Sequence, residues 1–325
     1  MLVTGGAGFI GSAFVRRVID GVYPELSDAE VIVYDALTYS GNLANLAPVA
    51  ASPRYSFVHG DIRDRALLDA SLTGVDAIVH FAAESHVDRS VNDASPFVDT
   101  NAGGTQTVLD AAVGAGIARM VHVSTDEVYG SIEQGSWRED HLLEPNSPYA
   151  ASKASSDLLA RAAHRTHGLN VSITRCSNNY GPYQYPEKVI PLFVTHLLDG
   201  AHVPLYGDGG NVRDWLHVDD HCDGIALVLA GGRSGEIYNI GGGVELTNAE
   251  LTVRLLAATG RDESYIDRVA DRKGHDRRYS VDDAKIRAEL GYRPRVDFET
   301  GLSEVVGWYR DRRDWWEPLA VAAEH

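Results

Sequence analysis

A glycine-rich turn near the start of the chain limits its fold more than any other feature. A short strand candidate, Leu2–Thr4, is followed by Gly5, Gly8 and Gly11, and an amphipathic segment begins at Ser12. Glycines are needed where a strand turns sharply into a helix and the backbone approaches a pyrophosphate. The N–H groups and positive dipole end of such a helix favour phosphate binding. The segment therefore predicts a dinucleotide site at the end of the first strand.

Strand and helix candidates alternate along the first 175 residues. The strand candidates are Leu2–Thr4, Val31–Tyr34, Ser56–His59, Ala77–Phe81, Met120–Ser124 and Val171–Thr174, and the helix candidates lie near Ser12–Asp20, Arg65–Leu72, Thr100–Ala115 and Tyr149–His167. This rhythm predicts a parallel sheet that is covered by helices on both faces. Right-handed crossovers make it an α/β, doubly wound, Rossmann-type fold, with ligands at the carboxyl ends of the strands.

The pattern changes after about residue 175. Loops with glycine and proline appear, and shorter helix candidates lie near Asp220–Ala230, Asn248–Thr259 and Asp282–Leu290. We therefore expect residues 1–175, plus later interleaved segments, to form the dinucleotide-binding domain. Residues 176–319 are expected to form mainly a smaller α/β substrate domain, and residues 320–325 a frayed tail.

Composition limits the partners and the compartment. The 325 residues suffice for about two domains, and a net charge of -17 argues against nucleic acid or an anionic membrane as a partner. Cys176 and Cys222 lack the spacing of a disulfide framework or a zinc site. Since no apolar run approaches the ~20 residues of a membrane span and no signal peptide is recognisable, we expect a cytoplasmic protein.

The acidic residue after the second strand candidate indicates the type of cofactor. Asp35 lies 24 residues beyond Gly11, where a carboxylate can hold both ribose hydroxyls of NAD. No arginine follows to receive a 2′-phosphate, which favours NAD over NADP. Asp61 and Ile62, after the third strand candidate, suit adenine contact, although Asp61 is nearly as well interpreted as an ordinary loop acid.

Tyr149 and Lys153 lie one turn apart on the same face of a helix candidate. A tyrosine with its ordinary pKa of about 10 is a poor base at neutral pH, and a nearby ammonium is expected to lower that pKa. The pair can then take a hydroxyl proton while the carbon loses hydride to a nicotinamide. This spacing is common by chance, but after a dinucleotide turn it indicates oxidoreduction.

The segment Ser124–Gly130 carries more distinctive chemistry. Thr125 can hydrogen-bond a sugar hydroxyl beside the tyrosine, and Asp126 and Glu127 follow directly. Adjacent carboxylates are usually solvated loop charges or a helix cap. Elimination, however, needs both a base for a carbon-bound proton and an acid for the leaving hydroxyl. The environment would then have to separate their pKa values.

Together these segments resemble the extended short-chain dehydrogenases/reductases and, within them, the dTDP-glucose 4,6-dehydratases, especially those of actinobacterial deoxysugar pathways. The resemblance covers nearly the full length and rests on residues 4–12, 35–43, 80–88, 124–130, 149–153, 175–182, 186–188, 211–215 and 271–276. The glycine turn and the Tyr/Lys pair are typical of the whole superfamily. The Thr-Asp-Glu and Pro-Glu-Lys segments are much more specific to the dehydratases.

The resemblance implies a complete reaction with recycled NAD. Tyr149 would deprotonate the C4 hydroxyl of dTDP-glucose, assisted by Lys153 and Thr125, while hydride passes from C4 to NAD. Glu127 would then remove the C5 proton and Asp126 would protonate the C6 hydroxyl, so that water leaves. Return of hydride to C6 gives dTDP-4-keto-6-deoxy-glucose.

The remaining site residues are expected in two groups. NAD contacts are expected at the turn glycines Gly5, Gly8 and Gly11, at Asp61 and Ile62, and, by the resemblance, at Phe9, Ile10, Asp35, Ala36, Leu37, Thr38, Phe81, Ala82, Ala83, Ser85, Thr100, Tyr149, Lys153 and Asn179. By the same resemblance, substrate contacts are expected at Ser85, Thr125, Asn178, Lys188, Val189, Pro204, Tyr206, Arg213, Asn248, Arg272, His275 and Tyr279. Lys188 and Arg213 would supply local positive charge, and core packing is an open alternative for the two tyrosines.

Several alternatives remain open at this point. His217 and His221, with acids between them, have the spacing of metal ligands, but a structural turn is favoured and no metal is expected. A UDP-sugar 4,6-dehydratase, a 4-epimerase or a non-catalytic NAD-binding regulator are the alternative functions, and Asp126 with Glu127 argues against the epimerase. A homodimer through the helices near 100–115 and 149–167 is expected by analogy.

Overall fold

The strands form three sheets in a computed structural model that describes residues 1–271 and 274–323, without the side chains of 321–323. The strands are β1 (Leu2–Thr4), β2 (Val31–Asp35), β3 (Tyr55–His59), β4 (Ala77–His80), β5 (Arg119–Thr125), β6 (Val171–Cys176), β7 (Asn178–Tyr180), β8 (Val203–Tyr206), β9 (Val212–His217), β10 (Ile237–Ile240), β11 (Glu245–Thr247) and β12 (Ile266–Val269). A seven-stranded parallel sheet has the order β10-β6-β5-β4-β1-β2-β3. The predicted doubly wound fold is confirmed.

Helices connect and cover these strands. They are α1 (Phe9–Ile19), α2 (Arg65–Ser71), α3 (Val87–Asn92), α4 (Ser95–Phe97), α5 (Thr105–Ala115), α6 (Pro148–His167), α7 (Val189–Leu198), α8 (Val218–Gly231), α9 (Asn248–Thr259), α10 (Ala284–Leu290), α11 (Phe298–Asp311) and α12 (Arg313–Ala323). Within the described ranges, none is both long and apolar enough to cross a membrane.

Alternation along β1 shows how the central sheet is buried on both faces. Leu2 packs in a core with α5 and α6, whereas its neighbour Val3 packs in a second core with α1 and α8. Both side chains are fully buried, as the two-residue period of a strand requires when both faces are covered. The sheet is therefore the middle layer of three.

The six predicted strands are present with bounds shifted by at most two residues. The seventh strand of the central sheet was not predicted. This strand, β10, lies beside β6 although it follows β7–β9 in the chain. The predicted helix over Thr100–Ala115 begins late, because residues 98–104 form a wider π-helical segment before α5. There Gly104 packs so closely that an added Cβ would lie 2.5 Å from the Ile62 side chain.

The later part of the chain builds a third core. Strands β7, β9 and β11 form a mixed sheet, β8 pairs with β12, and α7, α9, α11 and α12 pack around them. The indole N–H of Trp315 donates to Asn45 Oδ1 at 2.9 Å, which ties α12 to the first half of the chain. α12 continues through Ala323, and Ala320 packs on this core.

Gly242 provides a test of this packing. An added Cβ would lie 1.8 Å from the Trp215 carbonyl oxygen, whereas one on Gly307, inside α11, would meet no described atom within 4 Å. We expect Gly242→Ala to lower the free energy of unfolding by about 2 kcal/mol or more through overpacking. As the control, Gly307→Ala should raise it by up to about 1 kcal/mol through helix propensity. Equal thermal midpoints for the two variants would contradict the packing described.

Candidate active site

The backbone around the turn between β1 and α1 leaves no space for a side chain at Gly5 or Gly11. A Cβ on Gly11 would lie 2.3 Å from the Gly5 carbonyl oxygen, and one on Gly5 would lie 2.6 Å from the Ala82 nitrogen. Gly5 also has a φ of 68°, which glycine adopts without strain. The backbone can therefore approach a ligand at the start of α1, where Gly8 is the N-cap residue.

One cavity of about 400 Å³ lies beside this turn and contains most of the predicted site. The predicted cofactor residues in its walls are Gly5, Gly8, Phe9, Ile10, Gly11, Asp35, Ala36, Thr38, Asp61, Ile62, Phe81, Ala82, Ala83, Ser85, Thr100, Tyr149, Lys153 and Asn179. The other predicted residues there are Thr125, Asp126, Glu127, Asn178 and Lys188. The dinucleotide turn and the catalytic candidates thus share one space.

Leu37 is the predicted cofactor residue that is not in these walls. Its backbone has a φ of 50°, and its side chain packs against the core that contains α1. Its N–H instead donates to Asp35 Oδ1 at 2.8 Å. Leu37 thus orients Asp35 through its backbone N–H, and its contact with NAD stays a prediction.

Asp35 is held at the end of β2 by main-chain donors. Besides Leu37, the Ala7 N–H in the glycine turn donates to Asp35 Oδ2 at 2.9 Å. Burial raises the pKa of Asp35, and these two hydrogen bonds oppose that shift. The carboxylate is thus fixed at the cavity wall, where a ribose diol can bind.

Asp61 has a partner that the sequence did not indicate. Arg63 Nη2 lies 2.6 Å from Asp61 Oδ2, and hydrogen bonding from Arg63 lowers the pKa of Asp61. Arg63 itself lines the cavity, as do Glu84, Gln184, Tyr185 and Glu187. Glu84 and Glu187 fall inside motif segments, but nothing in their spacing marked them individually.

The catalytic candidates meet where β5 ends and α6 begins. Thr125 Oγ1 accepts the Glu127 N–H at 3.3 Å and donates to Asp126 Oδ1 at 3.3 Å, which shapes the turn after β5. On α6, the Lys153 ammonium donates to the Val123 carbonyl at 2.8 Å. Tyr149 is 8% exposed, and its N–H donates to Ser90 Oγ at 3.2 Å.

Asp126 is in an environment that favours the neutral acid. Its side chain is buried, and this burial is the main reason that its pKa lies well above the ordinary value. The charges of Glu127 and Asp214 raise the pKa further. Arg213 and Thr125 oppose the shift. Among the described residues, Asp126 Oδ2 has no hydrogen-bond partner. A buried carboxyl group beside a second carboxylate is the arrangement that acid–base elimination requires.

Burial, and not Lys153, dominates the pKa of Tyr149 in this structure. Burial raises the pKa of the Tyr149 phenol well above 10, and the charge of Glu127 adds to the shift. Burial also lowers the pKa of Lys153 to about 8. The reason is that the spacing of the pair predicts proximity but not desolvation, which penalises both charged forms.

Several predicted substrate residues form a second cluster beside the catalytic turn. The Arg213 guanidinium lies 4.4 Å from the centre of the Tyr279 ring and donates to the Asp276 carbonyl at 3.0 Å. Tyr279 is buried, and its hydroxyl donates to the Asp276 carboxylate. Burial raises the pKa of Tyr279, and the charge of Glu127 raises it further. The cluster therefore faces the catalytic turn.

Val189, Pro204, Tyr206, Asn248 and His275 are described substrate candidates that lie outside the cavity walls. Tyr206 is 38% exposed, and its ring lies 6.5 Å from that of His275. Val189 and Asn248 begin α7 and α9, and Pro204 lies in β8. The predicted Arg272 is outside the described residues.

The two histidines with metal-ligand spacing have structural partners. His217 Nδ1 accepts the Asp219 N–H at 3.2 Å and caps α8. His221 Nδ1 lies 2.9 Å from Asn179 Oδ1, and Asp220 accepts the N–H groups of Arg295 and Val296. The segment thus connects α8 to the cavity residue Asn179.

Comparison with known proteins identifies close relatives. A family model described as GDP-mannose 4,6 dehydratase matches residues 2–305. A dTDP-glucose 4,6-dehydratase of Actinoplanes sp. is 62% identical over 97% of this chain and 99% of its own length. The crystal structure of DesIV, a dTDP-glucose 4,6-dehydratase from Streptomyces venezuelae with NAD bound, is 70% identical, covers 98% of this chain and 99% of its own, and has a TM-score of 0.97.

More distant structures share the fold. A UDP-glucose 4-epimerase from Thermotoga maritima, with UDP-glucose, is 32% identical with a TM-score of 0.87 over 95% of this chain and 98% of its own. Backbone similarity alone therefore does not separate a dehydratase from an epimerase.

The buried acid predicts an unusual pH dependence of stability. Because folding raises the pKa of Asp126, the folded protein holds a proton that the unfolded chain releases above about pH 4, and stability falls as pH rises. Asp126→Asn removes this loss of stability with rising pH, because asparagine does not titrate. Its stability relative to the natural protein should therefore grow by up to about 1.4 kcal/mol per pH unit above about pH 4.

Urea unfolding at about pH 4 and about pH 7 measures this difference. The exposed Asp20→Asn is the matched control, and its difference from the natural protein should be small at both pH values. A difference for Asp126→Asn that is the same at both pH values would show that folding does not raise its pKa.

Proposed function

This chain belongs to the dTDP-glucose 4,6-dehydratase family of extended short-chain dehydrogenases/reductases, and we propose that it converts dTDP-glucose to dTDP-4-keto-6-deoxy-glucose and water. The observation that carries the proposal is the buried Asp126 beside Glu127 at the end of β5. Oxidation at C4 alone needs neither carboxyl group, whereas loss of water across C5 and C6 needs both.

The arrangement of the residues around the cavity suits NAD. The crowded glycine turn leaves the start of α1 open to a pyrophosphate, and Asp35 is held at the end of β2 for the ribose hydroxyls. When bound, NAD supplies a cationic ring that accepts hydride from C4 and returns it to C6.

Tyr149 acts first, as the base for the C4 hydroxyl. Its buried phenol holds its proton in the structure described, and a cationic ligand within a few Å lowers the pKa of such a group. Lys153, fixed by the Val123 carbonyl, is one helical turn away, and Thr125 lies in the same wall to hydrogen-bond the sugar.

Glu127 and Asp126 then carry out the elimination. The 4-keto group acidifies the C5 proton, which Glu127 removes. The C6–O bond breaks as Asp126 gives its proton to the hydroxyl, and water leaves. Asp126 suits this role because its burial favours the protonated form, and its unpaired Oδ2 provides a site from which the proton can be donated.

The substrate is held by local positive charge in an acidic chain. The Lys188 ammonium donates to the Ser85 carbonyl at 2.7 Å in the cavity wall, and Arg213 lies beside Tyr279. We assign these two cations to binding of the diphosphate of the substrate. Ser85 and Asn178 are assigned to binding of its sugar. The first 175 residues would mainly hold NAD and residues 176–319 mainly the nucleotide sugar. A homodimer and a cytoplasmic location complete the proposal.

Conversion of dTDP-glucose by the purified protein tests the function. Mass spectrometry should show loss of one water without net oxidant consumption, because hydride returns to the substrate. Deuterium at C4 should appear at C6 of the product, and C5 should acquire a solvent proton. An intact substrate in the presence of NAD would contradict the proposal, whereas epimerised dTDP-glucose would favour a 4-epimerase. Conversion of UDP-glucose in its place would favour a UDP-sugar dehydratase.

Two substitutions separate the steps of the reaction. Asp126→Asn should slow turnover by at least about 100-fold while leaving C4 oxidation possible, since it removes only the general acid. The near-ultraviolet absorbance of reduced nicotinamide should then rise after dTDP-glucose is added. Tyr149→Phe should abolish that rise. A normal rise in Tyr149→Phe, or normal turnover in Asp126→Asn, would contradict the corresponding role.

A further inference from the structure

A buried charged cluster next to Lys153 is not used in the mechanism above. Asp157 follows Lys153 by one turn on α6, so the two side chains share a face of the helix. Asp157 is fully buried and Lys153 is 5% exposed. A carboxylate and an ammonium out of contact with water interact strongly, because the surroundings screen them little.

Arg175 on β6 holds Asp157 in its charged form. Arg175 Nε lies 2.8 Å from Asp157 Oδ2, Arg175 is 1% exposed, and its guanidinium lies 4.6 Å from the centre of the Tyr129 ring. Burial opposes ionisation of Asp157, but the Arg175 charge and hydrogen bonds outweigh it and lower the pKa of Asp157 to about 2.

The other titratable groups around this pair add no negative charge. His122 Nε2 lies 3.4 Å from Asp157 Oδ1, and its ring stacks on His80 with centroids 5.3 Å apart. Burial lowers the pKa of both histidines and raises that of the Cys176 thiol. In the described part of the chain, the titratable groups that act on Lys153 or Asp157 include His80 on β4, His122 on β5, Tyr129 in the turn after β5, and Arg175 and Cys176 on β6. Tyr149 lies one turn before Lys153 on α6.

We propose that Asp157, held ionised by Arg175, is a positioning residue for Lys153. It keeps the buried ammonium charged and directed at the Val123 carbonyl, and Lys153 in turn assists Tyr149. This inference rests on the proposed function, since it concerns how Lys153 serves that site.

The direction of the Lys153 shift agrees with this geometry. Burial lowers the pKa of Lys153 to about 8, and Asp157 is the largest influence that opposes the decrease. Without Asp157 the buried ammonium would lose the carboxylate that favours its charged form. Loss of Asp157 should therefore cause Lys153 to release its proton at lower pH.

Lysine NMR measures that proton directly, because the chain has only four lysines, Lys153, Lys188, Lys273 and Lys285. The full chain, saturated with NAD and labelled with carbon-13 lysine, is titrated, and Lys153→Arg identifies the Lys153 signal. Asp157→Asn should lower the pKa of Lys153 by about one unit or more. Asp110→Asn, which changes an exposed acid on the neighbouring α5, is the control and should leave it unchanged.

A second variant covers the case in which Asp157→Asn does not fold. In Asp157→Asn/Arg175→Met both buried charges are absent, which proteins tolerate better than one unpaired charge. The pKa of Lys153 should again decrease, by less than in the single variant, since the repulsion by Arg175 is also lost. An unchanged pKa of Lys153 in a folded variant of either kind would overturn the proposal.

The pH profile of kcat distinguishes this inference from the proposed function. If Lys153 assists Tyr149 as a cation, the alkaline decrease of kcat should move to lower pH together with the Lys153 titration. A lowered pKa of Lys153 with an unchanged pH profile of kcat would support the action of Asp157 on Lys153 and contradict the role of Lys153 in the reaction. A shifted pH profile of kcat with an unchanged pKa of Lys153 would overturn the proposal.

Discussion

The parallel register of β4, β5 and β6 brings together the segments on which the active site depends. Val79 pairs with Val121, and Thr125 pairs with Cys176, so the three strands end at one edge of the sheet. The segments that follow them, 81–85, 126–127 and 177–179, therefore meet in one cavity. The glycine turn after β1 reaches the same edge because β1 pairs with β4.

Burial at that edge sets the protonation of each group according to its neighbours. Asp126 faces other carboxyl groups and is driven toward the neutral acid, whereas Asp157 faces Arg175 and is driven toward the carboxylate. Two aspartates of one chain thus acquire opposite properties within the same fold. In a chain with a net charge of -17, Arg213 also limits the accumulation of negative charge beside Asp126.

The sequence predicts the parts of this arrangement that depend on local spacing. The glycine turn, Asp35 at the end of β2, and the Tyr149/Lys153 pair could be placed because strand ends and helix faces follow from short-range patterns. The helix α7 was missed because its sequence, VIPLFVTHLL, is a short and mainly apolar run, which fits a buried strand as well as a buried helix. The short β10 was missed because its partner β6 lies about 60 residues earlier.

Long-range electrostatics could not be predicted in the same way. Asp214 and Arg213 act on Asp126 from β9, almost 90 residues away in the chain, and the raised pKa of Tyr149 depends on how deeply α6 is buried. The Asp157–Arg175 pair likewise joins two elements whose contact is decided by the sheet. Leu37 lies inside a recognisable motif, yet its side chain turns to the core because of its backbone conformation.

The elimination described above requires Asp126 to be a neutral carboxylic acid in the folded protein, and infrared spectroscopy can observe this directly. With carbon-13 aspartate, the natural protein and Asp126→Asn are compared at about pH 8, above the pKa of about 6 to which burial raises Asp214. The natural protein should show a protonated carboxyl C=O band that is absent from the variant. Identical spectra in the protonated-carboxyl region would contradict it, because Asp126 would then be ionised and unable to protonate the leaving hydroxyl.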